Sequence, residues 1–331
     1  MRVAFIGVAH WHAPLYYRPA ARIGGIQIVG VSDEDQSVAE RVGGELGVRI
    51  FLEYRELLGT RPDFVFAFGR HCDMPDIAAA LIEATVPFII EKPAGLNAAQ
   101  VEATRDRARA KGLHAGTGFN FRASDWFKRL RELTAEDPAT QASFRFITGG
   151  PYRYHELGSP WMLDPALSGG GSTINLAGHL IDMFRLFTGS EPTEVAAVMG
   201  NHTWQQPVED YSAVALRSDT AAGLVETGYT YPAGMGAFDQ RFSLRTSRAY
   251  VVVRSDDVIE ISDAASGRRE EFHSPTSNAA WYPAFVSESL DRFERGRPPL
   301  ADLDDLVAAM KVIDAAYASD RAGGLSIHLD G

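Results

Sequence analysis

The first 120 residues alternate short apolar runs with helix-like segments, and this alternation constrains the fold more than any other feature of the chain. Uninterrupted apolar runs occur at VAFIGV, IQIVGVSD, VRIF, FVFAFG, PFIIEKP and LHAGTGF. Runs of this length without polar alternation are expected of parallel strands covered on both faces. Between them DQSVAERVGGEL, EYRELLG, MPDIAAALIEATV and NAAQVEATRDRARAKG read as helices. Repeated β-α-β units predict an α/β fold with a doubly wound parallel sheet. Ligands of such sheets sit beyond the carboxyl ends of the strands. That rule brings four segments to one crevice: the turn at Gly7, Asp33, the loop Gly69-Arg70-His71 and Glu91-Lys92-Pro93.

The texture changes after Phe121. A helix (SDWFKRLREL) and a strand (QASFRFITGG) precede a loop rich in Tyr, Trp, Gly and Pro, then a helix over 172–187. The runs EVAAVMGN, YSAVALRS, GLVETGYTY, RFSLRTS, AYVVVRS and VIEISD follow with short connections, which predicts a mainly antiparallel, open-faced sheet. Helices over 281–295 and 303–320 end the chain. The expected organisation is a dinucleotide-type domain over 1–120 and an α+β substrate-binding and oligomerisation domain over 121–331, with the last helices free to pack back on the first domain. Val214, Leu216, Leu224, Val225 and Tyr229 are expected to form a sheet face that the helices leave open, and hence a contact between copies of the chain.

Composition removes several function classes. The chain has 331 residues, 45% hydrophobic and 23% charged, with formal net charge -11. Lys and Arg are nowhere concentrated, which argues against nucleic acid or an anionic membrane as partner. No run approaches the roughly 20 apolar residues of a membrane span. VAFIGVA lacks the features of a signal peptide, and the single cysteine, Cys72, excludes an internal disulfide; a cytoplasmic protein is expected.

The turn after the first strand reads Gly7-Val8-Ala9-His10-Trp11-His12. A phosphate-binding loop of the G-x-G-x-x-G type would have glycine where Ala9 and His12 stand. Ala9 adds only a methyl where a pyrophosphate approaches, whereas a bulky His12 must point into the cleft or force helix and strand apart. The loop, His10 and Trp11 included, is read as a variant cofactor loop, with plain loop packing as the alternative. The His10-x-His12 pair has no third ligand in register, so no metal is expected. Asp33, ending the second strand, can accept hydrogen bonds from a ribose and repel a 2′-phosphate; the alternative is a turn or helix-cap aspartate. Lys92, in a cleft and stiffened by Pro93, is placed for proton chemistry. Gly169-Gly170-Gly171 allows close backbone approach, and the helix behind it carries Asn175, His179 and Asp182 at i, i+4 and i+7. His179 is a candidate acid/base with Asp182 to orient its ring; a satisfied core histidine is the alternative.

Taken together, these motifs resemble the glucose–fructose oxidoreductase / inositol dehydrogenase (Gfo/Idh/MocA) family over essentially the whole chain. The resemblance rests on Glu91-Lys92-Pro93, Gly118-Phe119-Asn120-Phe121-Arg122, Trp161-Met162-Leu163-Asp164-Pro165 leading to Gly169-Gly170-Gly171, and His179 with Asp182. The C-terminal run 285–321 is similar as well. It implies an enzyme using NAD, with NADP as the alternative, to oxidise a sugar, inositol or related polyol. Lys92 would bind the reacting hydroxyl and His179 would take its proton. Gly69, His71, Glu91 and Asn120 would border the cofactor, and Arg122 and Trp161 the substrate. Relatives assemble as dimers or tetramers through the second-domain sheet, so a homodimer or homotetramer is implied. Three positions depart from the family pattern: Asn175 stands where many members have Asp, Ala177 where many have Gly, and the loop 69–74 replaces a Thr-Pro-Asn-x-x-His segment. An amide can orient a substrate but is no base. The loop Tyr152-Arg153-Tyr154-His155 offers chemistry to grip hydroxyls or a carboxylate, with Tyr152 and His155 as the expected contacts. Two other readings share the motifs: an NAD-using glycosidase or lyase with transient redox, and a ligand-binding relative without activity.

Overall fold

The computed structural model describes residues 1–232 and 238–329. Its first sheet contains β1 (Arg2–Ile6), β2 (Gln27–Ser32), β3 (Ile50–Phe51), β4 (Phe64–Ala67), β5 (Phe88–Ile90) and β6 (Ala115–Thr117) in the order β3-β2-β1-β4-β5-β6. Every ladder is parallel, the Rossmann arrangement expected of buried apolar runs. Strands are added in opposite directions on the two sides of β1, so the loops after β1 and β4 diverge and leave a crevice between them. Local chemistry sets the helix starts. Asp35 caps helix Gln36–Leu46 by accepting the Ser37 and Val38 amides at 2.9 and 3.3 Å, and Asn97 caps Ala98–Ala110 through the Gln100 amide at 3.1 Å.

The second sheet contains β7 (Gln141–Gly149), β8 (Glu194–Gly200), β9 (Tyr211–Arg217), β10 (Ala222–Tyr231), β11 (Phe238–Arg245), β12 (Ala249–Arg254), β13 (Val258–Asp263), β14 (Arg269–His273) and β15 (Ile327–His328). Its order is β14-β13-β12-β11-β7-β10-β9-β8-β15, antiparallel except for the parallel pair β7 and β10. The helix-forming stretch between β7 and β8 provides the crossover, which lies across one face as helix Gly178–Thr188. The two short outer strands β14 and β15 escape a reading by apolar pattern: one has a single apolar residue, Phe272, and the other has two residues in all.

The residues expected on the open face need correcting. Val214, Leu216, Val225 and Tyr229 are buried under the helices, and of the five named residues Leu224 alone points outward, 40% exposed. Side chains alternate along a strand, so neighbours such as Leu224 and Val225 cannot share a face. The outward face carries Val198, Ala213, Ala215, Leu224 and Tyr250, crossed by an ionic row in which Arg145 contacts Glu226 and Asp239.

The last two helices tie the sheets together. Tyr282–Glu294 packs on Ala13–Ala20, with the Tyr282 and Tyr16 rings 5.0 Å apart. Leu303–Arg321, started by a capping box at Asp302 and Asp305, lies against both Ala98–Ala110 and β8. The Thr117 amide at the end of β6 donates to the Ala301 carbonyl at 3.0 Å. Among the described residues no helix is long and apolar enough to cross a membrane, and no three His, Cys, Asp or Glu side chains gather as a metal site.

Candidate active site

Two adjoining lobes, of about 460 and 440 Å³, open where the carboxyl ends of the parallel strands meet the second domain. Both sizes suit a small molecule. Gly7, Ala9, His10, Asp33, Gly69 and Trp161 border the first lobe, and Trp11, His12, Lys92, Tyr154, Asn175 and His179 the second. An aromatic partition stands between them: the His10 and Trp11 rings stack at 3.9 Å, Trp11 lies 5.7 Å from Trp161, and Trp161 meets His71 at 5.0 Å.

The first lobe fits a dinucleotide. Gly7 has φ +74°, and a Cβ there would stand 2.2 Å from the Phe68 carbonyl oxygen, so only glycine permits this turn against the end of β4. Asp33 is not the helix cap, a role that Asp35 fills. Its Oδ2 accepts the Ala9 amide at 2.6 Å and its Oδ1 the Asp35 amide at 3.0 Å, which places the carboxylate at the lobe edge where an adenosine ribose would lie. Burial raises the Asp33 carboxyl, against the pull of those two amides. Glu34, Asp35, Glu53, Asp73 and Asp76 extend the acidic border. Arg70, the one Lys or Arg among the described residues of that border, is held by Asp73 at 2.5 Å.

The second lobe is built around Lys92. Its Nζ donates to the Asn175 backbone carbonyl at 2.6 Å and to Asn175 Oδ1 at 3.0 Å, which leaves one ammonium N–H for a ligand. A five-residue π turn over Thr173–Ala177 contains Asn175, whose carbonyl meets Lys92. The Asn175 amide nitrogen donates to the Tyr154 and Tyr229 hydroxyls at 2.8 and 3.0 Å, so every polar atom of the side chain is engaged. Burial lowers the Lys92 ammonium below its ordinary value, partly offset by the neighbouring Glu91. His179 sits between the edges of Phe119 and Phe121, both at 5.5 Å, and its Nδ1 has no partner among the described residues. Burial, with the Lys92 charge nearby, pushes this imidazole down to about 3.

His12 points into the cleft, as its bulk requires. Its Nδ1 lies 3.3 Å from Glu91 Oε1 and 3.3 Å from the Tyr282 hydroxyl. Glu91 is 2% exposed, and its Oε2 accepts the Tyr16 hydroxyl at 2.6 Å. Burial by itself would raise this carboxyl, but His12, Lys92 and His10 outweigh it and hold it below the usual carboxylate range.

Several expected roles are corrected by these contacts. Asp182 does not orient His179; it receives Arg122 Nε at 2.9 Å and Nη2 at 2.5 Å. Arg122, paired also with Asp305 at 2.9 Å, is a strut between helices and not a substrate contact. The cause is a competing partner: Arg122, 60 residues earlier in the chain, takes both carboxylate oxygens. Asn120 is fully buried and donates to the Asn278 carbonyl at 2.8 Å, away from the cofactor lobe. His71 donates through Nδ1 to the Ser168 carbonyl at 2.6 Å and props Trp161. Glu91 lies behind the lobes and borders neither; Trp11 and His12 face the second lobe, not the first; Trp161 borders the cofactor side of the partition. Tyr152 and His155 are exposed, and their loop neighbours Arg153 and Tyr154 line the second lobe instead, because the loop forms a helical turn over Arg153–Glu156. The three glycines serve the chain itself: a Cβ on Gly171 would stand 2.1 Å from the Glu209 carbonyl oxygen. Tyr16, Tyr229 and Tyr282 had no signal beyond being aromatic, since their roles depend on partners 54 to 270 residues away.

The comparisons with known proteins agree with this geometry. Residues 1–119 match the model of the GFO/IDH/MocA oxidoreductase family, NAD-binding Rossmann fold, and residues 140–252 match the GFO/IDH/MocA C-terminal domain. The rhizopine catabolism protein MocA of Rhizobium meliloti is 26% identical over 323 residues, 95% of this chain and 93% of that protein. D-xylose 1-dehydrogenase (NADP(+)) 2 of Haloferax volcanii is 26% identical over 325 residues, 94% of this chain and 95% of that protein. An inositol dehydrogenase homolog from Azotobacter vinelandii, solved with NAD+, superposes with TM-score 0.86 at 17% identity, covering 99% of this chain and 97% of that one. With both domain models matched in order, and with Lys92 and His179 in one cleft beside a dinucleotide lobe, the chain belongs to the GFO/IDH/MocA family of NAD-binding oxidoreductases.

Proposed function

We propose that this enzyme is a dehydrogenase that prefers NAD and oxidises a secondary hydroxyl of a sugar, inositol or related polyol. The observation that carries the reading is the buried Lys92 ammonium, fixed by both oxygens of Asn175 and sharing a lobe with His179. A bound NAD would lie along the first lobe and accept the hydride. The free N–H of Lys92 donates to the reacting oxygen and favours its deprotonation. His179, kept neutral by burial, takes up the hydroxyl proton at the ring nitrogen that faces the lobe and relays it to water. Asn175 positions Lys92 and cannot itself act as a base. Tyr154 and Tyr229 fix the Asn175 amide. The acidic border around Asp33 would repel a 2′-phosphate, which supports NAD over NADP. The names of the relatives, a xylose dehydrogenase and an inositol dehydrogenase homolog, support a polyol substrate.

The test is NADH formation, followed by absorbance, across a panel of sugars, inositols and sugar acids with NAD+ and NADP+. Turnover of a polyol with NAD+ is expected. Binding of NAD+ with no polyol oxidised would remove the dehydrogenase reading. We also infer assembly into a homodimer or homotetramer through the open face of the second sheet, supported by the exposed Val198, Leu224 and Tyr250 on a face that no helix of the described residues covers.

A further inference from the structure

The two lobes carry opposite charge, although the chain as a whole is strongly acidic. The first lobe is edged by Asp33, Glu34, Asp35, Glu53, Asp73 and Asp76. The second has no carboxylate among its described lining residues. It presents two cations, Lys92 and Arg153, and two imidazoles, His12 and His179. Glu91, the nearby acid, lies behind His12 and Tyr16 and is turned away from the ligand space.

Arg153 is the residue that the proposed dehydrogenation leaves unexplained. Its Nη1 donates to Thr148 Oγ1 at 2.7 Å and to the Gly149 carbonyl, and its Nη2 donates to the Tyr154 hydroxyl at 2.9 Å. The guanidinium lies 4.8 and 4.9 Å from the ring centres of Tyr154 and Tyr229. All these partners are neutral, and among the described residues no carboxylate comes within ion-pair distance. Two other partly buried arginines are paired side-on with acids, Arg122 with Asp182 and Arg185 with Glu191, the latter at 2.6 and 2.7 Å. Arg153 is held in one orientation by three neutral acceptors and two ring faces, its Nε–H unused. A planar fork so fixed, without a counter-ion, is matched in geometry and charge by a carboxylate.

We propose that the substrate is a polyhydroxy acid, with its carboxylate seated on Arg153 and one of its secondary hydroxyls held between Lys92 and His179. The inference rests on the dehydrogenase reading and specifies its substrate class. In the reaction the carbinol C–H bond breaks and its electron pair leaves as hydride to NAD+, giving NADH. The O–H proton goes to His179 and then to water, a C=O bond forms, and the carboxylate is unchanged. A phosphate monoester shares the negative charge, but it would bring more acceptor oxygens than the one remaining face of this guanidinium can meet.

Matched pairs test the idea in the full-length protein: D-glucuronate against D-glucose, D-gluconate against D-glucitol, and D-glucose 6-phosphate as the phosphate arm, each with NAD+. The acid of at least one pair is expected to exceed its neutral partner in kcat/KM by about 10–100-fold, the scale of charge-assisted hydrogen bonds. R153M should bring that ratio near one, chiefly through KM for the acid, and R153K, which keeps charge but loses the fork, should fall between. Neutral members turned over as well as acids, a ratio unmoved by R153M, or preference for the sugar phosphate would each overturn the proposal. Calorimetry on the NADH complex separates the two readings. D-glucuronate or D-gluconate binding that D-glucose and D-glucitol lack, and that R153M abolishes, supports the acid site even where no NADH forms. Absence of that binding overturns it. A rise in melting temperature with NADH establishes that each variant is folded.

Discussion

Acidification should destabilise this protein well before its carboxylates titrate. His71 and His179 are buried, and burial lowers both from the ordinary 6.5 to about 3. In the folded state both therefore stay neutral down to strongly acid pH, whereas in the unfolded chain both bind protons as pH falls through 6.5. The unfolded state is thus favoured, and the stability these groups contribute is complete above 6.5 and is lost as pH falls from 6.5 toward 3. From about pH 7.5 to about pH 5.5 the loss is roughly 1–2 kcal/mol for each histidine and about 3 kcal/mol for the pair. His10, lowered by burial and by His12, adds in the same direction. Glu91 adds too, but only below its ordinary 4.5, outside this window. The assay is urea denaturation of wild type, His71→Asn, His179→Asn and the double variant at each pH. Each substitution should remove its share of the pH dependence, whatever it does to stability at neutral pH. A wild-type midpoint that does not move across the window, or a double variant with the full wild-type slope, would refute the argument.

Other substitutions probe the two lobes and the open sheet. Lys92→Met should lower kcat by roughly 10²–10⁴-fold while NAD+ still raises the melting temperature, because Lys92 serves the reacting oxygen and not the dinucleotide lobe; unchanged turnover would count against its role. Gly7→Ala forces a side chain into a left-handed turn, at about 1–2 kcal/mol, and against the Phe68 carbonyl. Calorimetry should show NAD+ affinity reduced by at least about tenfold, the turn being part of the cofactor lobe, and wild-type affinity would argue against that placement. Asp33→Ala should weaken NAD+ and improve NADP+ in relative kcat/KM, by about tenfold in the ratio, as one lost charge-assisted contact and one lost repulsion would give. Leu224→Glu combined with Val198→Glu should shift light scattering toward monomers, since both side chains are exposed on the open sheet face. A wild-type chain that is already monomeric at micromolar concentration would refute assembly through that face.

The parts of the site legible in the sequence are those in which a residue and its backbone do the work together. Gly7 is needed because of the turn it makes, Asp33 because a parallel strand ends there, and Lys92 because its strand delivers it to the crevice. His12 was legible through its bulk alone. What misled was inference about side-chain pairing at a distance. Asp182 and His179 share a helix face on paper, yet Arg122, 60 residues earlier, takes the carboxylate. Tyr152 and His155 had the chemistry to hold a ligand, but one helical turn exposed them and turned Arg153 and Tyr154 inward. Asn120 and His71 lie near the right crevice, and each spends a side-chain nitrogen on the chain itself.

The sequence by itself determined the layers of this protein. Apolar runs of strand length, glycine at turns and capping side chains act over a few residues, and they specify where strands and helices begin and on which edge of the first sheet a ligand can lie. Tertiary structure alone decided the charge and occupancy of the site. Lys92 meets Asn175 across 83 residues, Asn175 meets Tyr229 across 54, and His12 meets Tyr282 across 270. Hydrogen bonds and desolvation depend on separation in space, which only the packing of the second domain and the last helices against the first sheet sets. For the same reason Arg153, one cation among many along the chain, becomes in the folded protein a fork facing the ligand space without a carboxylate partner.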